Sequence, residues 1–245
     1  MSFDETIKNI PACCTIALDL QDEDHKLNSR SFGPVRWGKT AIVGPHSIFQ
    51  LFSLTKLVTA VAALQQVERN LLSLDEPAGN ILPEIDEIPL LNSEGQLITA
   101  SSRITLRHLL QHTSGLSYNS SVLTNSKIIK NLTTLQKLQL KTKSMRNTLD
   151  IFSKGPRLFE AGTDWKYGSG FGWVGLMIEK SSGVSLDTYF KNNIFTPLNM
   201  NNTFFYVPKD KLRNVVSIGT RKGLNSDKFI EFPFRSSFQN LKKSL

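Results

Sequence analysis

The sequence predicts a mixed α/β (α+β) domain, on three observations. Two β-prone runs near the start, residues 12–20 and 32–43, flank a polar turn in the pattern of an antiparallel hairpin. Helical apolar spacing then takes over in the middle of the chain, at 53–67, 105–112 and 173–178. Two further β-prone runs, 215–218 and 229–232, follow near the end. At 245 residues the chain can bury a substantial core, as one large domain or two intimate subdomains.

In chain order, Ala12 to Leu20 reads as the first strand, Asp22 to Ser31 as a polar turn, and Phe32 to Val43 as the second strand, with Gly33 and Pro34 at its start. Pro45-His46-Ser47 leads into a helix opened by Ser53. Leu54, Leu57, Val58, Val61, Leu64 and Val67 recur at helical spacing, and Ala60, Ala62 and Ala63 fill the other side. A helix apolar over most of its surface is expected to be central and largely buried. Residues 71–77 end it, and 80–100 are loop-rich, punctuated by Pro83, Pro89 and Gly95.

A second amphipathic helix covers Thr105 to His112 and is closed by Thr113-Ser114-Gly115. His108 and His112 lie at the i, i+4 spacing of some metal-binding helices. The intervening glutamate and a third ligand are missing, so structural histidines near a glycine-terminated helix end are the better reading. Residues 119–150 read as one or two surface helices. Thr134 and Lys137 repeat a hydroxyl-x-x-lysine spacing there, in a polar setting that keeps the lysine charged. Tyr167 stands in a Gly- and Ser-rich loop, followed by a helix through Trp173 and Ile178 that ends at Ser181-Ser182-Gly183. Ser185 is placed to cap a helix over 186–194, before Pro197. A turn over 223–227 separates the last two β-prone runs. The sequence holds no internal repeat and no obvious linker.

Composition narrows the classes of partner. Hydrophobic residues make up 40% and charged residues 20%, ordinary for a soluble globular protein. The 29 Lys+Arg against 21 Asp+Glu give a net charge of +8. The basic residues are spread out, without a dense run interleaved with aromatics, so no nucleic-acid partner is expected. Cys13 and Cys14 are adjacent and do not pair without strain. No metal-ligand spacing appears, and no cofactor is expected. The first ten residues lack the pattern of a secretory signal, and no apolar run approaches a membrane span. The expectation is a cytoplasmic protein without membrane association.

The chemistry concentrates at Ser53 and Lys56. Residues i and i+3 share a helix face, which puts the hydroxyl and the amine within hydrogen-bond reach. A serine hydroxyl is a poor nucleophile without a base beside it. A lysine in an apolar helix surround can lose its proton, because desolvation disfavours its charged form. The helix N-terminus adds free N–H groups and a positive dipole end beside an oxyanion formed at Ser53. Tyr167 is the candidate third group, since a phenol near a lysine is driven toward phenolate and can act as base, then acid. An ordinary half-buried loop tyrosine is the other reading, and sequence separation leaves the distance to Ser53 open.

Several blocks of this sequence, in order, resemble the serine β-lactamase and penicillin-binding-protein-like family, in its class C-like esterase and transesterase branch. They are Ser53-Leu54-Thr55-Lys56 with the exit at 72–77, the stretch 104–116, the loop 162–169, and the segment from Ile194 to Phe205. The resemblance implies Ser53 as acyl-accepting nucleophile, with Lys56 and Tyr167 exchanging its proton. It implies a single domain over 1–245, an antiparallel sheet flanked by helices with a helical subdomain. Within it, about 10–70 would hold the hairpin and nucleophile helix, about 71–210 the helical subdomain, and 211–245 the start of a C-terminal hairpin and tail. The Tyr-Gly-Ser-Gly-Phe-Gly-Trp form of the loop is similar to fungal relatives, including acyltransferases of polyketide biosynthesis. Penicillin-recognising members usually carry asparagine two residues after the tyrosine, where this chain has Ser169. Without that amide the site is expected to take a small ester or thioester, by hydrolysis or acyl transfer, in preference to a lactam. The family continues with further strands, one bearing a glycine-rich third motif and an oxyanion-hole N–H. No counterpart precedes Leu245, so a C-terminally truncated copy of the fold is expected. The alternative is a catalytically inactive remnant acting as an interaction protein, or an incomplete gene model.

Overall fold

The computed structural model describes residues 16–21, 27–36, 39–118, 155–221 and 229–232. In chain order the elements are β1 (Ile16–Gln21), β2 (Leu27–Phe32), α1 (Thr55–Glu68), β3 (Leu90–Leu91), β4 (Leu97–Ile98) and α2 (Leu106–Leu110). They continue with α3 (Gly170–Ser182), α4 (Leu186–Phe190), β5 (Ile218–Arg221) and β6 (Phe229–Phe232). Helices and antiparallel pairs together make a mixed α/β fold, as the sequence predicts. The chain groups into two units, Met1–Phe52 with Phe204–Leu245, and Ser53–Thr203.

The first unit holds two antiparallel ladders, β1 with β2 from Ile16↔Phe32 to Gln21↔Leu27, and β5 with β6 from Ile218↔Phe232 to Arg221↔Phe229. The hairpin is there, with a different second strand. In β2, Leu27 to Ser31 fall within the expected polar turn and only Phe32 in the expected second strand, yet all six residues pair with β1, while Pro34 and Ile42 bridge antiparallel to each other in the loop that follows. In that loop Val35 N–H donates to the Ala41 carbonyl at 2.7 Å and Val43 N–H to that of Gly33 at 3.0 Å. Gly33, at φ 88°, takes the left-handed turn that ends β2, a conformation open to glycine at little cost. Val215 and Val216 precede β5 instead of opening it, bridging to Ile48 through Ile48 N–H to Asn214 O (2.8 Å) and Val216 N–H to Ile48 O (2.9 Å).

The second unit is helical and carries the larger core, built from α1, α2, α3 and α4 around Trp173, Ile104, Leu106, Leu109, Ile178 and Phe190. Helix α1 meets α3 through Thr59, Ala62, Ala63 and Gln66, an i, i+3, i+4, i+7 face whose small residues permit close approach. The expectation of a largely buried helix needs correcting here. Leu57 is 70% exposed, Leu54 67%, Leu64 45% and Val61 40%, while Val58 and Val67 pack partly on the core. A helix apolar on both sides gives no periodic signal of which side meets the core. Asn70 at φ 57° ends the helix, its N–H donating to the Val67 carbonyl.

Helix α2 starts in a capping box. Thr105 Oγ1 accepts from His108 N–H, and His108 Nδ1 accepts from Thr105 N–H, both at 3.3 Å. Helix α3 ends at Gly183, at φ 73°, and Ser185 caps α4 through the Thr188 N–H, as the sequence predicts. A π-turn over Lys191–Phe195 then completes the predicted helical stretch before Pro197. The loop-rich 80–100 region contains a small hairpin, β3 with β4, turned by Asn92, whose Oδ1 accepts from the N–H groups of Glu94 and Gln96. No described helix is long and apolar enough to cross a membrane. The surface helices expected over 119–150, with Thr134 and Lys137, Cys13 and Cys14, and the turn over 223–227 all lie outside the described residues.

Candidate active site

Ser53 sits in a 3-10 turn over Phe52–Leu54, just before α1 begins at Thr55. The preceding residue, Phe52, has φ 44°, a strained value for a bulky side chain and of the kind often stored beside functional groups. Lys56 then falls in the first turn of α1. Its Nζ donates to Ser53 Oγ at 3.1 Å. On the other side, Ser53 Oγ and Tyr167 Oη are 2.7 Å apart, and either hydroxyl can donate. Lys56 Nζ also lies 4.9 Å from the Tyr167 ring centroid. The structure thus brings the three predicted residues into one hydrogen-bonded unit.

Lys56 is half-buried, next to the exposed Leu57, and so keeps partial access to water. Hydrogen bonding to Lys56, then to Ser53, holds the Tyr167 pKa below its ordinary 10.0, helped by the positive charge on Lys56 and a hydrogen bond with Tyr118. Tyr118, whose ring centroid lies 6.0 Å from that of Tyr167, carried no sequence signal of this proximity. No side chain caps the N-terminus of α1, which begins two residues after Ser53.

The loop that carries Tyr167 is anchored at several points. Glu160 accepts from the backbone N–H groups of Ser101 (2.7 Å) and Ser102 (2.9 Å) and from both their hydroxyls. These bonds hold its carboxyl down to about 2. Ser102 Oγ in turn accepts from Ala161 N–H at 2.7 Å, and Gly162 N–H donates to the Thr113 carbonyl at 2.8 Å. Just before the loop, the buried Arg157 donates to the carbonyls of Ser102 (2.7 Å) and Ile85 (3.2 Å). Gly168, the residue after Tyr167, is packed so closely that a Cβ would meet Leu116 O at 2.1 Å and Ser117 Cα at 2.6 Å. The two histidines weighed as metal ligands have separate tasks. His108 serves the α2 cap, and His112 faces the tyrosine loop. Among the described residues, no three His, Cys, Asp or Glu side chains gather as a metal site.

A serine within hydrogen-bond reach of both an amine and an acidified phenol has a proton acceptor and a counter-charge in place. That is the equipment of nucleophilic acyl transfer. Several known proteins are similar to this chain. Acyltransferase mokF of Monascus pilosus is 33% identical over 163 residues, 64% of this chain and 37% of that protein. Lovastatin esterase of Penicillium rubens is 36% identical over 172 residues, 68% of this chain and 42% of that protein. The unliganded simvastatin synthase (LovD) structure from Aspergillus terreus matches with a TM-score of 0.78 at 25% identity, over 94% of this chain and 60% of that one. These alignments span about two fifths of the curated relatives' own length. The family model described as Beta-lactamase matches residues 3–230, and the chain belongs to that family.

Proposed function

We propose that this site transfers acyl groups through an acyl-Ser53 intermediate, taking a small ester or thioester as donor. Ser53 Oγ attacks the donor carbonyl while its proton passes to Tyr167 Oη, 2.7 Å away. Lys56 stabilises the phenolate form of Tyr167 that accepts this proton. The N-terminal end of α1, which no side chain caps, follows Ser53 directly, and its positive dipole end favours the negative charge of the developing oxyanion. As the tetrahedral centre collapses, the bond to the leaving oxygen or sulfur breaks, and Tyr167 returns the proton to that atom. Water or an alcohol then enters by the same steps in reverse, which releases an acid or a new ester. The single observation that carries this reading is the Lys56–Ser53–Tyr167 hydrogen-bonded chain. The names of the relatives, acyltransferases and an esterase, support the same reaction class.

A fluorophosphonate probe tests it. Stoichiometric labelling mapped to Ser53, absent in Ser53→Ala, is the expected result. A folded wild-type chain that takes up no probe contradicts it and favours the non-catalytic alternative.

A further inference from the structure

We propose that His112, as a neutral imidazole, is a positioning residue for Tyr167, holding the phenol in register with Ser53. The inference rests on the reading of Tyr167 as the proton carrier. His112 engages the loop on both sides of that tyrosine. Its backbone carbonyl accepts from Lys166 N–H at 2.9 Å, and its Nδ1 accepts from Gly168 N–H at 3.4 Å. Its ring lies against the Tyr167 ring, with centroids 4.7 Å apart and planes at 44°. Phe171 of α3 (5.4 Å) and Trp165 (6.1 Å) contact the same imidazole. The residues before, at and after the proposed base thus all touch one histidine.

The backbone explains why a short polar ring suits this place. His112 has φ 60°, in the left-handed region, just beyond the end of α2. Among non-glycine residues, Asn, Asp and His tolerate that region best. Phenylalanine offers the ring without an acceptor, and asparagine offers the acceptor and the backbone without the ring.

The Gly168 bond requires the tautomer with its proton on Nε2, because imidazolium has donors only. The charged group that acts on the His112 ring is Lys56 on α1, and the titratable group in contact with it is Tyr167 on the loop. Burial, and then the positive charge of Lys56, push the His112 pKa below 6.5, so the acceptor is present at neutral pH. Below that range, protonation turns the acceptor into a donor facing a donor and sets two cations side by side. The clamp then opens.

Two measurements on the full chain test this together. The first is an NMR titration that follows the Gly168 amide and the His112 ring nitrogens. The second is the pH dependence of Ser53 acetylation by p-nitrophenyl acetate in wild type, His112→Asn and His112→Phe. The Gly168 amide is expected to move with the His112 titration, and Nδ1 to show the unprotonated signature at pH 8. In wild type, the logarithm of the acetylation rate should fall with slope two below the His112 pKa, since two protons now inhibit. In His112→Asn it should keep slope one. His112→Phe should acetylate about 10–100-fold more slowly at pH 8, with His112→Asn recovering most of the loss. Purely structural damage lowers the rate at every pH and leaves the slope unchanged. A Gly168 amide indifferent to His112, or equal slopes in wild type and His112→Asn, overturns the inference. If His112→Phe does not fold, the slope and the amide decide. A wild type that accepts no acetyl group refutes the Ser53 reading instead, and the amide titration alone then judges the clamp.

Discussion

Replacing Gly168 by alanine tests how tightly the site's geometry depends on the loop. The new Cβ would stand 2.1 Å from Leu116 O and 2.6 Å from Ser117 Cα. Both are backbone atoms, so no side chain can swing away to make room. Reaching even 3.0 Å demands that the two segments separate by about 0.9 Å. Tyr167 is the neighbouring residue, and its 2.7 Å contact with Ser53 would stretch toward about 3.6 Å, beyond hydrogen-bond range. A misplacement of about 1 Å at a reacting group costs on the order of a hundredfold in rate. The stability cost of overpacking is of similar size, about 1–3 kcal/mol against about 2.7 kcal/mol for a hundredfold in rate, so folding is checked separately. The assay is the rate of acyl-Ser53 formation from p-nitrophenyl acetate, with circular dichroism to establish that the variant is folded. A folded Gly168→Ala chain acylated within threefold of wild type would refute the claim that this glycine sets the Ser53–Tyr167 distance.

Three further outcomes are expected. Tyr167→Phe should slow acylation by about 10²–10⁴-fold, and the wild-type rate should rise with pH through a midpoint below the ordinary tyrosine value of 10.0. The sign follows from the phenolate being the base: activity is lost as pH falls through the lowered Tyr167 pKa. Glu160→Gln should destabilise the chain at pH 7 by about 1 kcal/mol, since its ion-assisted bonds are partly solvated. The Glu160 contribution is fully present above pH 4.5 and fades toward pH 2, so denaturation curves of the two proteins should converge over that window. Arg157→Ala removes the donors to the Ser102 and Ile85 carbonyls and leaves a cavity, for a loss of about 3 kcal/mol or more. For a chain of this size that lowers Tm by roughly 6–12 °C, and a melt within 2 °C of wild type would contradict it.

What the sequence discloses and what it hides divide along physical lines. Ser53 and Lys56 are legible because helical spacing alone brings i and i+3 together. The ends of α3 and α4 are legible because Gly183 and Ser185 are local signals. Tyr167 is placed by its resemblance to family members, since nothing local fixes a contact across so long a separation. The second strand of the first hairpin is misread because Leu-Asn-Ser-Arg-Ser-Phe is polar. Its pairing with β1 comes from the backbone, which composition does not report. Helix α1 is misread in its orientation, because Leu57 and Val61 look as suited to a core as Ala62 and Ala63. The parts that hold the tyrosine loop, Gly168 against Leu116 and Glu160 across Ser101 and Ser102, are tertiary contacts without a periodic signature.

The most direct test of the central claim is the intact mass of the purified chain after exposure to p-nitrophenyl acetate, beside a Ser53→Ala control. The account predicts a single acetyl adduct on the wild type, mapped to Ser53, and none on the control. A soluble, folded wild-type chain whose mass does not change, or one acetylated equally in both proteins, would contradict it.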